Sequence, residues 1–336
     1  MKTAILGAGA IGSVVAAKLV QAGAGDVLLV GRQDHVAAIE KDGLKVVSAE
    51  GEDIVQVPVA TKLDKKHDLV IFTVKTPDLE MAYQDNHPYL EDCLILTTQN
   101  GVQADNILCT HFEPTNMLSS IVMFGATYSQ PGEVIFNFPG NWILGKPYCP
   151  LDVTTHDIAE MLGKAFDVTV SRNIMGMKWL KVFVNFNNCI PALMDMSMQE
   201  TFADIDFCRL SILLLKEGLD IVKQANIKLD SLPNFPVDRI IGLSQMPVEQ
   251  AAGITKEVLT GLSKEPLYGS ILQSIKRNRP SEIDFINGEV SQVARSLLSD
   301  APLNNKIVGL IHRIEETGRF LTPDDVKKEF KLNTIK

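Results

Sequence analysis

The first half of the chain alternates short, continuously apolar runs with longer segments in which apolar residues recur at helical spacing. The short runs predict buried β-strands, and the longer segments, of which Ala10–Ala22 is the first, predict helices. The predicted strands are Thr3–Leu6, Val27–Val30, Leu69–Val74, Cys93–Thr98 and Met117–Met123. Strands that alternate with helices are typical of βαβ units, so we expect an α/β domain built on a parallel sheet.

Two further pairs of apolar runs predict β-hairpins. Leu44–Ala49 and Ile54–Val57 flank a polar segment of four residues, which predicts the first hairpin. Val134–Phe138 and Trp142–Leu144 are joined by a Pro-Gly-Asn turn, which predicts the second.

The strand signal weakens near residue 170, and helical periodicity dominates from there to the end. The predicted helices are Met175–Cys189, Phe202–Gln224, Val237–Gln245, Ile283–Leu298 and Asn304–Thr317. We therefore predict two domains, an α/β domain over residues 1–170 and an all-α domain over residues 171–336. The chain after Phe330 is expected to fray.

Composition narrows the classes of function. The 336 residues include 32 Lys and Arg against 41 Asp and Glu, a net charge of −9, which argues against nucleic-acid or membrane partners. No apolar run approaches the ~18 residues of a membrane span, and the first residues do not resemble a signal peptide, so we expect a cytoplasmic protein. The histidines form no metal-ligating motif, so no metal is expected. We expect a monomer or homodimer that acts on a small molecule.

A glycine-rich turn follows the first predicted strand directly. Gly7-Ala8-Gly9-Ala10-Ile11-Gly12 fits the G-x-G-x-x-G pattern and opens the first predicted helix. The first glycine permits a tight turn, the second lets a pyrophosphate approach the backbone, and the third lets helix and strand pack closely. The free N–H groups of the helix N-terminus suit an anion, so this loop predicts a dinucleotide site. A glycine-rich turn without a ligand is the alternative.

The end of the second predicted strand bears on the choice between NAD and NADP. An NAD site usually has a carboxylate there for the ribose 2′-hydroxyl, whereas this chain has Val30-Gly31-Arg32. Arg32 can hold a 2′-phosphate through two hydrogen bonds, and Asp26 lies at the opposite end of the strand. NADP(H) is therefore favoured, with a solvated surface arginine as the alternative.

Three more polar or small segments follow predicted strands. Lys75 follows the strand that begins at Leu69, Asn100-Gly101 follows the next, and Gly125-Ala126-Thr127 follows the strand from Met117. Ligands of open parallel sheets bind outside the carboxyl ends of the strands, so we expect these segments at the cofactor site. Each one alone is also an ordinary turn segment.

The first predicted helix of the second domain carries Lys178, Lys181, Asn185 and Asn188 on one face, at spacings of 3, 4 and 3. This face predicts a polar lining of an interdomain cleft in which Lys181 donates a proton and Asn185 orients a substrate. A solvated amphipathic face is the alternative. Further on, Ser281 is a plausible helix cap, and Glu282 either stabilises that helix start or contacts the cofactor ribose or the substrate.

These features together resemble the ketopantoate reductase (2-dehydropantoate 2-reductase) family over nearly the whole chain. The resemblance rests on the glycine loop, Lys75, the Asn100-Gly101 turn, Lys181 with Asn185, and Ser281–Gly288, in that order. It implies a Rossmann-type dinucleotide-binding domain followed by a helical domain like that of the 6-phosphogluconate dehydrogenase superfamily. It also implies NADP(H) as cofactor and Lys181 as the general acid that completes reduction of a 2-keto acid.

Carried over by position, the resemblance implies roles for further residues. Asn100 matches an asparagine near nicotinamide and substrate, Ala126 a backbone contact to the cofactor, and Glu282 a cofactor-contacting glutamate. The predicted cofactor-binding residues are Gly7, Ala8, Gly9, Ala10, Ile11, Gly12, Arg32, Lys75, Asn100, Ala126 and Glu282. The predicted substrate-binding residues are Asn100, Lys181, Asn185 and Ser270.

The chain departs from the family pattern at positions that we expect in the substrate pocket. Cys189 takes the place of a second helix asparagine, next to Asn188, and Phe124 stands where members often have histidine. The expected activity is NADPH-dependent reduction of 2-dehydropantoate to pantoate, a step of pantothenate and coenzyme A biosynthesis. The alternatives are a reductase of a different 2-keto acid or a hydroxyacid dehydrogenase, and a non-catalytic NADPH-binding regulator.

Overall fold

A computed structural model describes residues 1–332 of the chain. The chain divides into two compact units, Met1–Met175, here unit 1, and the remainder from Gly176, here unit 2. Of the residues expected to fray after Phe330, Leu332 is buried, and residues 333–336 lie outside the described range.

Unit 1 contains alternating strands and helices. Its strands are β1 (Lys2–Leu6), β2 (Asp26–Val30), β3 (Leu44–Ser48), β4 (Gly51–Val55), β5 (Val59–Ala60), β6 (Leu69–Phe72), β7 (Leu94–Thr97), β8 (Met117–Val122), β9 (Gly125–Gln130), β10 (Glu133–Phe138), β11 (Trp142–Gly145) and β12 (Val168–Val170). Its helices are α1 (Ala10–Gln21), α2 (Gln33–Asp42), α3 (Leu79–Asn86), α4 (Gln103–Leu108) and α5 (Val153–Gly163). Short 3-10 helices cover Thr76–Asp78, His87–Tyr89 and Pro114–Asn116.

The main sheet of unit 1 has the strand order β12-β11-β8-β7-β6-β1-β2-β5. The strands from β5 to β8 in this order run parallel, whereas β11 is antiparallel to β8. Alternate residues of β1 enter separate hydrophobic clusters, with Ile5 in one and Ala4 and Leu6 in the other. Both faces of the sheet are therefore covered, as in a Rossmann-type α/β fold.

A second sheet in unit 1 has the order β4-β3-β10-β9. It contains the predicted hairpin β3–β4, which pairs antiparallel as expected. The second predicted hairpin is wrong, because β10 pairs with β9 and β3 whereas β11 lies in the main sheet. The four residues of β11 are all buried and need cover on both faces, while β10 has exposed and half-buried positions that suit a sheet covered on one face.

The described part of unit 2 is helical, apart from a single bridge between Leu232 and Phe235. Its helices are α6 (Ile174–Asn185, which begins in unit 1), α7 (Cys189–Met194), α8 (Met198–Phe202), α9 (Ile205–Gln224), α10 (Asp238–Gln245), α11 (Val248–Thr260), α12 (Ser270–Lys276), α13 (Asn287–Ser296), α14 (Pro302–Thr317) and α15 (Pro323–Glu329). Short 3-10 helices cover Phe186–Asn188 and Ile283–Phe285. The expected all-α architecture is confirmed.

Two predicted helices are divided in the structure, and a third begins later than predicted. The segment predicted as Met175–Cys189 ends its α-helix at Asn185 and continues through a 3-10 turn into α7. Pro191 explains the break, because it has no N–H for a bond to the carbonyl four residues earlier and its ring would clash with that carbonyl. The helix predicted from Phe202 begins at Ile205 as α9, after its N-cap Asp204, because Phe202 is the last residue of α8. The segment predicted from Ile283 begins as a 3-10 turn before α13.

Candidate active site

The glycine loop of unit 1 forms a tight turn between β1 and α1. Gly7 has a φ of +119°, and a Cβ there would lie 2.5 Å from the backbone nitrogen of Val74. A Cβ on Gly12 would collide with the carbonyl oxygen of Gly7 and with Thr73. The Thr73 hydroxyl donates to the Gly7 carbonyl at 2.7 Å, which holds the loop against the end of β6. Both glycines are therefore required by close packing.

Gly9 has a different environment from its two neighbours in the motif. A Cβ built on Gly9 would meet no atom within 4 Å, so the loop presents an open face there. Gly9 is the N-cap of α1, and the first turn of this helix contains no acidic residue. The first backbone N–H groups of a helix lack intrahelical acceptors and attract anions. The loop thus fits the pyrophosphate of a dinucleotide.

The end of β2 lies directly beside this loop. The backbone N–H groups of Gly7 and Ala8 both donate to the Val30 carbonyl at 3.0 Å, and a Cβ on Gly31 would collide with Ala8. Arg32 follows as the N-cap of α2. It is exposed and forms no ion pair within residues 1–332. Its guanidinium is available for an anion next to the loop.

The ends of β6 and β7 are joined by a residue that sequence analysis missed. The Gln99 amide donates to the carbonyls of Phe72 and Val74, both at 2.8 Å. It thereby holds the exposed Lys75 and the half-buried Asn100, which follow these two strands, at one edge of the sheet. Its position at a strand end is the signal that could have identified it, but its partners lie more than 20 residues away.

Ala126 and Phe124 occupy different surroundings from those expected. Ala126 lies within β9 of the second sheet and is half-buried, so it belongs to a strand rather than to a loop after β8. Phe124 is buried in the core of unit 1, where its ring stacks on Phe166 with centroids 5.0 Å apart and meets Trp142 edge-on. The expectation that Phe124 lies in a substrate pocket is wrong, because this aromatic cluster encloses its side chain.

In unit 2, helix α6 and the 3-10 turn after it are anchored on α9. Gly218 of α9 has no side chain, and a Cβ there would lie 2.8 Å from the Phe183 ring and 3.1 Å from the Phe186 ring. The Asn187 side chain accepts a hydrogen bond from the Ser211 hydroxyl at 2.6 Å. These contacts hold one face of the segment against the core. Lys181, Asn185 and Asn188, which are only half-buried, lie elsewhere on its surface.

Lys181 has the environment of a tuned acid. Burial lowers the pKa of Lys181 to about 8; the carboxylate of Glu282 opposes this decrease, and the ammonium of Lys178 adds to it. Lys178 itself is buried rather than solvated. A lysine with a pKa this close to neutrality can release its proton at working pH, which ordinary surface lysines do not do.

Glu282 lies at the start of a 3-10 turn, where the sequence predicts the start of an α-helix. The Ser281 hydroxyl accepts from the Ile283 N–H at 3.3 Å, and the turn that follows is 3-10 rather than α-helical. Ser281 therefore stabilises the segment that carries Glu282. The structure brings Glu282 close enough to Lys181 to influence its pKa, an association that their separation in sequence did not indicate.

Unit 2 also contains three uncharged polar side chains that the sequence predicts near the substrate or on the same helix face as Lys181. Asn185 ends α6, Asn188 ends the 3-10 turn, and Ser270 begins α12. The side chains of all three have no hydrogen-bond partner within residues 1–332. Cys189 is fully buried, and burial raises the pKa of its thiol to about 12. Cys189 therefore belongs to the core, and the available amides belong to Asn185 and Asn188.

Each unit presents a distinct set of groups. Unit 1 offers a loop suited to a pyrophosphate and an unpaired arginine beside it, and unit 2 offers a lysine able to donate a proton together with unpaired amides. Within residues 1–332, no cluster of three His, Cys, Asp or Glu side chains could hold a metal ion. Among the same residues, no helix combines the length and apolarity needed to cross a membrane.

Comparison with known families covers most of the chain. The family model described as ketopantoate reductase PanE/ApbA matches residues 3–147, and the model of the C-terminal part of the same family matches residues 173–315. Similar curated proteins are the 2-dehydropantoate 2-reductase of Pyrococcus horikoshii, 31% identical over 95% of this chain and 99% of that protein, and its Pyrococcus abyssi counterpart, 30% identical over 93% and 97%.

Solved structures give the same picture. A PanE/ApbA family ketopantoate reductase from Ralstonia eutropha has a TM-score of 0.79 with 25% identity, covering 94% of this chain and 99% of that protein. The structure of a D-mandelate dehydrogenase in complex with NADH has the same TM-score, identity and coverage.

Proposed function

We propose that this chain, which belongs to the ketopantoate reductase family, catalyses the NADPH-dependent reduction of 2-dehydropantoate to pantoate, a step of pantothenate and coenzyme A biosynthesis. The observation that carries the proposal is the juxtaposition of Lys181 with the carboxylate of Glu282, on a helix that also presents the unpaired amide of Asn185; the lowered pKa of Lys181, about 8, supports it. A proton donor tuned in this way is what the reduction of a ketone requires.

The nucleotide would be held by unit 1. Residues 7–12 would receive its pyrophosphate, with Lys75, Asn100 and the backbone of Ala126 as further contacts and Glu282 of unit 2 as another. Arg32, which follows β2, would hold the 2′-phosphate of NADPH. A carboxylate at that end of β2 would instead bind the ribose 2′-hydroxyl of NADH, but Asp26 lies at the opposite end of the strand. The site therefore favours NADPH over NADH. The reduced nicotinamide, when bound, supplies a hydride.

Lys181 would complete the reaction. Its ammonium would donate a hydrogen bond to the ketone oxygen of the substrate, polarise the carbonyl, and transfer a proton as negative charge develops on that oxygen. Asn100, Asn185 and Ser270 would hold the remainder of the 2-keto acid. The product is a 2-hydroxy acid, and Lys181 is left neutral until it takes up a proton from solvent.

The test is NADPH oxidation with 2-dehydropantoate by wild-type enzyme and by Lys181→Ala. The variant should lose at least about a hundredfold in kcat while still binding NADPH, the usual scale for a lost general acid. Lys223→Ala removes an exposed lysine at the end of α9 and should keep its activity within about twofold. If the wild-type protein binds NADPH but does not oxidise it with any of the 2-keto acids tested, the result would indicate a non-catalytic regulator.

Coenzyme preference is tested separately. Arg32→Ala should lose most of the selectivity for NADPH over NADH, while Lys41→Ala, at the far end of α2, should keep it. Equal affinity of the wild-type protein for the two coenzymes would contradict the assignment of Arg32.

A second candidate is the reduction of another 2-keto acid. The D-mandelate dehydrogenase structure, as similar to this chain as the ketopantoate reductase structure, favours it, because its named substrate is an aromatic 2-hydroxy acid. A panel of phenylglyoxylate, branched aliphatic 2-keto acids and 2-dehydropantoate separates the two candidates by their kcat/KM values.

A further inference from the structure

We propose that His35 is a positioning residue for the coenzyme, which holds Arg32 at a fixed place relative to the glycine loop and thereby sets the preference for NADPH. The proposal rests on the proposed function, in which Arg32 binds the 2′-phosphate and residues 7–12 bind the pyrophosphate. One nucleotide can satisfy both sites at full strength only if the distance between them is fixed before it binds. The evidence is the burial of His35 and the hydrogen bonds that it forms.

His35 joins the helix that follows Arg32 to the helix that the glycine loop opens. It lies in the first turn of α2, three residues after Arg32, and only 2% of its surface is exposed. Its Nε2 is 3.1 Å from the hydroxyl oxygen of Ser13, which directly follows Gly12 in α1. The Ser13 N–H in turn donates to the Gly9 carbonyl at 3.0 Å. The first turns of α1 and α2 are therefore tied together at this ring.

The second ring nitrogen shows which protonation state His35 has. The backbone N–H of Gly132, in the turn between β9 and β10, donates to Nδ1 at 2.9 Å. Only an unprotonated nitrogen can accept this bond, so the ring is neutral and its Nε2–H donates to Ser13. Burial lowers the pKa of His35, and the carboxylate of Asp34 opposes this decrease only in part. Both hydrogen bonds of the ring are therefore present at neutral pH.

The turn between β9 and β10 supports the same face of α2. A Cβ built on Gly132 would lie 3.1 Å from the Cβ of Ala38, one helical turn beyond His35. The Gly132 carbonyl accepts from the Lys45 N–H of β3 at 2.9 Å, and the Tyr128 ring of β9 lies with its centroid 5.0 Å from that of His35. The second sheet thus gives α2 a fixed surface, and His35 is the residue that connects this surface to α1.

The backbone on the other side of Arg32 is held independently of His35. The Gly31 N–H donates to the Ala60 carbonyl at 3.0 Å, and the Val30 carbonyl accepts from the glycine loop. Loss of His35 would leave these bonds intact and release only the side of Arg32 that leads into α2. We therefore expect the 2′-phosphate contact to weaken while the pyrophosphate site is retained.

The test measures the dissociation constants of NADPH and NADH on one preparation of each variant, at neutral pH and without keto acid. The ratio of the two constants does not depend on the fraction of protein that is folded, so a loss of stability does not enter it. His35→Ala should weaken NADPH binding by about tenfold, because part of a guanidinium–phosphate contact is lost, and NADH binding by less than about twofold. His35→Gln retains an uncharged acceptor and donor, so its ratio should stay within about twofold of the wild-type ratio.

His67→Ala is the matched control. His67 is also a buried histidine of unit 1, and its Nδ1 lies 3.0 Å from the carbonyl oxygen of Lys65, in the segment before β6. Its replacement removes a ring of the same size from the same unit, but none of the contacts between α1 and α2 given above involves it. The ratio of the two dissociation constants should therefore remain unchanged in His67→Ala.

A double variant tests whether His35 acts through Arg32. His35→Ala should have almost no further effect on the ratio when Arg32 is already alanine, because a positioning residue acts only through the group that it positions. If the wild-type protein prefers NADPH and His35→Ala leaves the ratio unchanged, or lowers it by the same factor with and without Arg32, the inference is overturned while the proposed function stands. If the wild-type protein binds both coenzymes equally, the assignment of Arg32 is overturned, and the inference with it.

Discussion

The lowered pKa of Lys181 predicts a specific pH dependence of the reduction. A donor with a pKa of about 8 is about 90% protonated at pH 7 and about 10% protonated at pH 9. Because only the ammonium donates a proton, kcat/KM should be level below pH 7 and should fall about tenfold per unit above pH 8. An unperturbed lysine would delay that fall until about pH 10.5.

Two neighbours of Lys181 should shift the pH at which kcat/KM begins to fall, in opposite directions. Glu282→Gln removes the charge that raises the pKa of Lys181, so the fall in kcat/KM should begin at lower pH. Lys178→Met removes a like charge that lowers it, so the fall should begin at higher pH. Lys223→Met, a charge change on α9, should leave the profile unchanged.

The assay is the initial rate of NADPH oxidation from pH 6 to pH 10, in buffers of constant ionic strength and with subsaturating keto acid. The nucleotide is kept saturating in each variant, so that any contact between Glu282 and the cofactor does not enter the profile. A profile that is level to pH 10 would refute the assignment of Lys181 as the proton donor. Shifts of the same sign in Glu282→Gln and Lys178→Met would refute the electrostatic account.

Three further predictions concern stability and packing. Lys181→Met should be inactive, but below pH 8 it should be more stable than the wild-type protein by up to about 3 kcal/mol, because it removes a lysine whose pKa is lowered on folding. This gain should disappear towards pH 10.5, where the lysine of the unfolded wild-type chain also loses its proton. Thermal unfolding at several pH values measures the difference. Gly12→Ala should destabilise the protein by about 1–3 kcal/mol in denaturant unfolding, because its Cβ would collide with the carbonyl of Gly7. Gly9→Ala adds a Cβ that meets no atom of the protein, so it should leave stability unchanged and weaken only nucleotide binding, as measured by coenzyme titration. Phe124→Ala should cost about 3–5 kcal/mol in denaturant unfolding, with little change in the KM for keto acid, since its ring lies in the aromatic core.

Local sequence was sufficient for the nucleotide loop and for the strands around it. The roles of Gly7 and Gly12 depend on contacts with adjacent segments of a βαβ unit, and the pattern of glycines indicates that geometry directly. Lys75 and Asn100 could be assigned to one edge of the sheet because parallel strands end at the same edge. The fold class and the family resemblance followed from the same local signals and are confirmed.

Contacts between distant segments decided the rest. Two short strands separated by one turn looked like a hairpin, but burial on both faces assigned β11 to the main sheet. Phe124 and Gln99 could not be interpreted without their partners, an aromatic cluster and the carbonyls of β6.

The same division holds for the chemistry of unit 2. The sequence by itself determined that Lys181 and Asn185 share a helix face, because helical periodicity depends only on spacing. Only the tertiary structure decided that the pKa of Lys181 falls to about 8 and that Cys189 is fully buried. Burial and Coulomb interactions act through space, so their effect on a side chain depends on which distant residues folding brings beside it.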